Sequence, residues 1–247
     1  MTSSRNPIDF QTTHWSIVRS SRENGDSVVR RESLGELYQA YWYPLFIYLR
    51  RKGYDPESSA DYVQGFFVEL IDKDFLRSVA PEKGRFRWFM QSAVQRFAAG
   101  EVKRLSAKKR GGGRAKFSLN VDEAEGRYQL EPEDGWTPES LFDRRWALTV
   151  LQQALGQLQT EYGEKDKSAL FDSLAPMLTI DSDDLQAYDR IAEQLSMSTG
   201  AVKVAAHRMR ERYREVLTAV VAQTLADPDA LDDEIDILLK ALRGPAA

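Results

Sequence analysis

Between residues 34 and 49 the side chains Leu34, Leu37, Tyr38, Tyr41, Leu45, Tyr48 and Leu49 recur at i, i+3, i+4 and i+7, the repeat of one helix face. Trp42, Phe46 and Ile47 widen that stripe until the segment is apolar almost all round, and such a helix needs neighbours on most sides. Nearly every other periodic segment has the same spacing, and strand signals are scarce. The expectation is an all-α chain built as two small helical domains joined by a flexible linker.

Turn chemistry marks the divisions. Gly53 and Asp55-Pro56 end the first helix and begin a second, which carries Val63, Phe66, Phe67 and Leu70 on one face. A third helix is expected from Phe86 to Lys109, where glycines 111–113 end it. Residues 33–110 form the first domain, preceded by an extension over 1–32. Residues 111–139, rich in Gly, Glu, Asp and Pro, read as the linker. The second domain covers 140–217, with amphipathic helices at Leu141–Leu158 and Ser168–Leu178 and an acidic break, IDSDD, at 180–184. Residues 218–247 form an acidic extension that includes one more amphipathic helix, with Asp residues at its favoured N-terminal end.

Composition excludes several kinds of chemistry. The chain has no Cys, and its two His are His14 and His207, which removes disulfides, thiolate catalysis and most zinc sites. Without a nucleotide-binding glycine loop, a metal constellation or a triad, the expectation is a binding protein, not an enzyme, with no cofactor and no metal. No stretch approaches a membrane span and no secretory leader is visible, so a cytoplasmic location is expected. The net charge of −4 conceals segregation: Arg85 to Lys116 holds ten Lys or Arg against the single acid Glu101, whereas 122–139 and 227–236 are acid-rich. A polyanion met locally fits that pattern.

Residues 191–210, IAEQLSMSTGAVKVAAHRMR, contain two short apolar-periodic pieces around a polar turn. Ile191, Ala192 and Leu195 form one face, Ser198 is placed to cap the next helix, and Val202, Ala205, Ala206, Met209 and Tyr213 continue as a buried stripe. Ser196 stands at the tight-turn position where Gly is commoner. Opposite the stripe lie Gly200, Lys203, Val204, His207 and Arg208, the arrangement of a recognition helix in a DNA major groove. Any αα-hairpin with a solvated cationic face fits the same spacing. Upstream, GRFRWFMQSAVQRFAAGEVKRLSAKKR sets Phe86, Trp88, Phe89 and Phe97 among cations. Aromatics beside Arg and Lys suit single strands, and the same aromatics equally suit a core.

The order of these segments resembles the sigma-70 superfamily, in its two-domain group of extracytoplasmic-function sigma factors. LYQAYWYPLFIYLRRKGYDPESSADYVQGFFVELI is similar to the start of region 2, FRWFMQSAVQRFAAGEVKRL to its promoter-melting helix, and AYDRIAEQLSMSTGAVKVAAHRMRERYREVL to region 4. The resemblance implies docking of RNA polymerase core, through its β′ clamp and β flap, with Asp61, Gln64, Gly65 and Val68 on the clamp-facing side. It implies that Lys83, Arg85, Phe86, Arg87, Trp88, Arg96, Lys103 and Arg104 hold the opened minus-ten element of promoter DNA. Ser198, Thr199, Gly200, Lys203, Val204, His207, Arg208, Arg210 and Arg212 are then expected at the minus-thirty-five element.

Members of that group usually carry an acidic cluster before the residue matching Gln64, where this chain has Ser58-Ser59-Ala60-Asp61. A Ser/Thr kinase acting on Ser58 or Ser59 would supply the missing charge at a helix start; both serines equally suit helix capping. An anti-sigma factor is a further expected partner, and the acidic extension is placed to cover the basic face. The alternative is a stand-alone helix-turn-helix transcriptional regulator whose first domain binds an effector or a dimer partner.

Overall fold

The computed structural model describes residues 27–71, 85–107, 121–132, 135–178, 185–225 and 227–244. Among these residues helix is the only regular secondary structure. In chain order the α-helices are α1 (Ser27–Arg51), α2 (Pro56–Ile71), α3 (Phe86–Ala107), α4 (Val121–Tyr128), α5 (Pro138–Glu164), α6 (Ser168–Leu174), α7 (Leu185–Leu195), α8 (Thr199–Ala222) and α9 (Leu231–Arg243), with 3-10 turns at Ala175–Leu178 and Pro228–Ala230. None is long and apolar enough to cross a membrane. The all-α expectation holds for these residues.

Two compact units emerge, one of Met1–Thr149 with Val221–Ala247 and one of Val150–Val220. In the first, α1, α2 and α3 pack on one another. Every residue from Tyr43 to Leu49 is buried, so the all-round apolar helix has the neighbours it requires. Pro44 lies inside α1, where a missing N–H and a ring clash ordinarily cost about 3 kcal/mol. Burial of Leu45, Phe46, Ile47, Tyr48 and Leu49 offsets that cost, at about 1.5–3 kcal/mol for each large apolar side chain. Aromatic edges complete the packing: Tyr41 against Phe86 at 5.5 Å and Phe66 against Phe97 at 6.3 Å.

The break between α1 and α2 follows the expected chemistry. Gly53 takes φ +93°, the left-handed conformation a helix stop favours. Asp55 caps α2 by accepting the Ser58 N–H at 2.8 Å, and Pro56 fills the first helical position, where no N–H is needed.

The expected linker is different. Residues 121–132 are not a free tether: α4 occupies most of them, and the carboxylates reach back to basic residues of α1 and α5. Arg50 pairs with Glu125 at 2.8 Å; beyond this stretch Lys52, just after α1, pairs with Glu139 of α5 at 2.8 Å. Glu131 is buried, with Arg144 at 3.4 Å, an ion pair to Arg145, and the Tyr43 hydroxyl donating to it at 3.4 Å. Local composition reads as loop because these acids find their partners far along the chain. Residues 108–120, with the glycine run, lie outside the described residues.

In the second unit, Leu158, Phe171, Leu174, Met177, Tyr188, Ala192, Val202, Ala206 and Met209 make one core. Val202, Ala206 and Met209 are the stripe expected on α8.

The Asp55 carboxyl is held below the usual carboxylate range, chiefly by the Ser58 backbone N–H. Asp55→Ala is expected to cost about 1 kcal/mol at neutral pH, as loss of an N-cap does. Because the carboxyl's folded value is depressed, the advantage is present above its ordinary value and fades as pH falls through the folded one. Chemical denaturation of both proteins across the acid range measures the narrowing gap.

Candidate nucleic-acid interface

The turn between α7 and α8 is built from its own residues. Ser196 adopts φ +52°, the positive φ that its position in the sequence demands. The Met197 N–H donates to the Ala192 carbonyl at 2.9 Å, closing α7, and Ser198 accepts the Ala201 N–H at 3.2 Å, capping α8. With the core stripe turned inward, Ser198, Gly200, Lys203, Val204, His207 and Arg208 are exposed. Val204 is 50% exposed, an apolar side chain in the middle of a polar face. It is suited to a thymine methyl group, while Lys203 and Arg208 offer donors to guanine edges.

Three expected members of this face are held by other side chains. The Thr199 hydroxyl donates to Asp189 at 2.6 Å. Arg210 turns to the Tyr188 hydroxyl at 3.2 Å. Arg212 forks onto Glu161 at 2.7 and 2.9 Å and reaches Glu215 at 2.7 Å; that partner holds the Glu161 carboxyl below its usual range. Arg210 and Arg212 therefore brace the bundle, and base contact falls to Lys203, Val204, His207 and Arg208. Sequence reasoning missed two further cations. A cleft of about 870 Å³ beside this face is lined by Lys165 and Lys167 together with Val204 and Arg208. Their signal was the short EKDK turn after α5, whose Asp166 also has positive φ.

Along α3 the expected strand-holding residues separate into two groups. Trp88, Arg96, Lys103 and Arg104 are exposed; Trp88, Arg96 and Lys103 are eight and then seven residues apart, which keeps them on one side of the helix. Phe86 and Arg87 are the correction. Phe86 is fully buried and Arg87 is 1% exposed, so with α9 in place neither is open to a strand. Arg87 donates to Glu234 at 2.8 and 3.4 Å and to Asp143 at 2.8 Å, while Arg85 also pairs with Glu234. Burial pushes the Asp143 carboxyl above its usual range, with Arg87 drawing it the other way. Lys83 lies outside the described residues.

Glu234 was not anticipated, because a carboxylate in an acidic helix reads as surface. Its signal was position: Leu231, Glu234 and Leu238 share the i, i+3, i+7 stripe of α9, so the inward face carries an acid at its centre.

On α2, Asp61 and Val68 are exposed and Gln64 and Gly65 half-exposed, an outward side opposite the buried Val63, Phe66 and Leu70. The two serines part company. Ser58 is half-buried in the first turn, with Asp55 as the true cap, whereas Ser59 is fully buried. Its hydroxyl has no hydrogen-bond partner among the described residues. A kinase cannot reach Ser59 in the folded chain.

Compared with family models, with curated proteins and with solved structures, the chain matches none of them. Any reading of its role rests on its own residues and geometry.

Ser59→Glu is expected to destabilise the first unit by at least about 2–3 kcal/mol, since it forces a charge into a dry, unpaired site. Ser58→Glu should stay within about 1 kcal/mol of the parent, its charge lying in a first helical turn that favours anions. Urea denaturation of the two variants separates them.

Proposed function

We propose that this chain is a sigma factor of the extracytoplasmic-function type, which brings RNA polymerase core to promoters and assists opening of the duplex. The observation that carries the reading is the capped α7–α8 turn, with Lys203, Val204, His207 and Arg208 exposed on one side of α8 and a closed apolar core on the other. That is the form of a helix read out in a major groove. Two surfaces of the other unit support it. The exposed row Trp88, Arg96 and Lys103 offers one stacking ring and two cations to an unpaired strand, and the outward side of α2 offers a modest polar face for docking the polymerase. A stand-alone regulator needs the first surface and has no use for the other two.

In this reading Arg208 and Lys203 carry sequence preference, while Arg212, committed to Glu161, contributes through the fold. Regulation by a kinase, if it acts on α2, acts at Ser58. Added phosphate there increases the negative charge on a docking helix that has few acids, next to the N-terminal dipole.

Run-off transcription with sigma-free core polymerase on genomic fragments decides between initiation factor and stand-alone regulator: the proposed role requires the chain to produce discrete transcripts. Arg208→Ala is expected to weaken binding to the selected promoter by about 5- to 150-fold and to relax preference at one base pair, as loss of a base contact does. Arg212→Ala should instead lower thermal stability and leave base preference unchanged.

A further inference from the structure

At the start of α3 two guanidinium groups converge on one carboxylate. Arg87 grips both oxygens of Glu234, Nε at 2.8 Å and Nη2 at 3.4 Å, and Arg85 pairs with the same group. The half-exposed Trp88 ring lies beside both, with guanidinium carbons 4.8 and 5.1 Å from its centroid. Planar guanidinium forks fit the two oxygens of a phosphodiester as well as those of a carboxylate, and an indole face accepts a base. The groups around Glu234 are thus of the kinds that hold a phosphodiester and a base.

The helix that delivers Glu234 is lightly held. Of the thirteen residues of α9 only Glu234 and Leu238 are buried. A buried ion pair contributes little net stability, because desolvation consumes most of its attraction. Released, α9 frays, since a detached helix of its length is marginal, but Asp232, Asp233 and Glu234 in its first turn and Lys240 and Arg243 in its last match the helix dipole and lower the cost of detachment. Arg87 also keeps a second partner in Asp143 at 2.8 Å, so departure of Glu234 does not strand its charge.

We propose that Glu234 occupies the strand-holding groups Arg85, Arg87 and Trp88 as an internal competitor of single-stranded DNA, so that strand capture and release of α9 are one exchange. The inference rests on the promoter-opening reading for the identity of the strand. The competition itself rests on the geometry around Glu234.

The test uses the full chain, without polymerase, and a fluorescent oligothymidylate. Glu234→Gln is expected to bind at least about tenfold more tightly than the parent, because an occupied site lowers apparent affinity by the fraction that is open. Asp236→Asn, an equal change of charge at an exposed position of the same helix, should gain less than about threefold, the effect of one long-range charge. Leu238→Ala keeps the carboxylate but loosens α9, and should also bind more tightly; it decides the matter if circular dichroism shows that Glu234→Gln does not fold. In the parent, hydrogen exchange over residues 231–243 should accelerate when oligonucleotide is added. The exchange is overturned if the folded Glu234 and Leu238 variants bind within threefold of Asp236→Asn, or if α9 protection is unchanged at saturating oligonucleotide. A chain that fails in run-off transcription yet shows these effects loses only the polymerase reading; one that transcribes without them loses only the exchange.

Discussion

A guanidinium cut off from water must find its counter-charges where it lies, and Arg87 finds them at two places distant in the chain. Asp143 comes from α5 and Glu234 from α9, with Trp146 beneath, its ring centroid 5.0 Å from the guanidinium carbon. Either acid alone still pairs with the guanidinium; removing both would leave its charge uncompensated in a dry site, a larger effect than the net worth of the pair. The turn after α8 also ties down the start of α3: the Phe86 N–H donates to the Thr224 carbonyl at 3.3 Å. The first unit is therefore closed by a segment that follows the whole of the second unit in sequence.

Glu131 repeats the pattern on a smaller scale. It gathers Arg144 and Arg145 and accepts the Tyr43 hydroxyl, and burial followed by this nearby carboxylate pushes the Tyr43 phenol up to about 12. In both places acids of segments that look like solvated ballast are drawn inward by basic residues of other helices. Charge segregation along the chain becomes charge neutralisation in the fold.

This explains what could be read in advance. Helix periodicity is local, so the burial of α1, the break at Gly53 and Asp55-Pro56, the positive φ at Ser196 and the α8 stripe were all legible from residues within four of one another. The exposed side of α8 followed from that stripe by simple rotation. Long-range pairing leaves no such mark. Arg87 looks identical to Arg96 in the sequence, and only the arrival of Glu234 and Asp143 makes one an internal residue while the other stays at the surface. The acidic stretch around α4 was misjudged for the same reason, since Glu125 meets Arg50 across 75 positions and Glu131 meets Tyr43 across 88. Ser58 and Ser59 differ by 100 degrees of helix rotation, and that rotation alone decides which of them an enzyme can meet.

Order of synthesis gives the closing segment a further significance. A ribosome delivers residues 150–220 before it delivers Glu234, so the nascent first unit has to wait with Arg85 and Arg87 unmatched by that acid while an entire second bundle emerges behind it. Asp143 precedes the second bundle and stands ready for Arg87, so it is the balance around Arg85 that stays incomplete until the last helix leaves the ribosome.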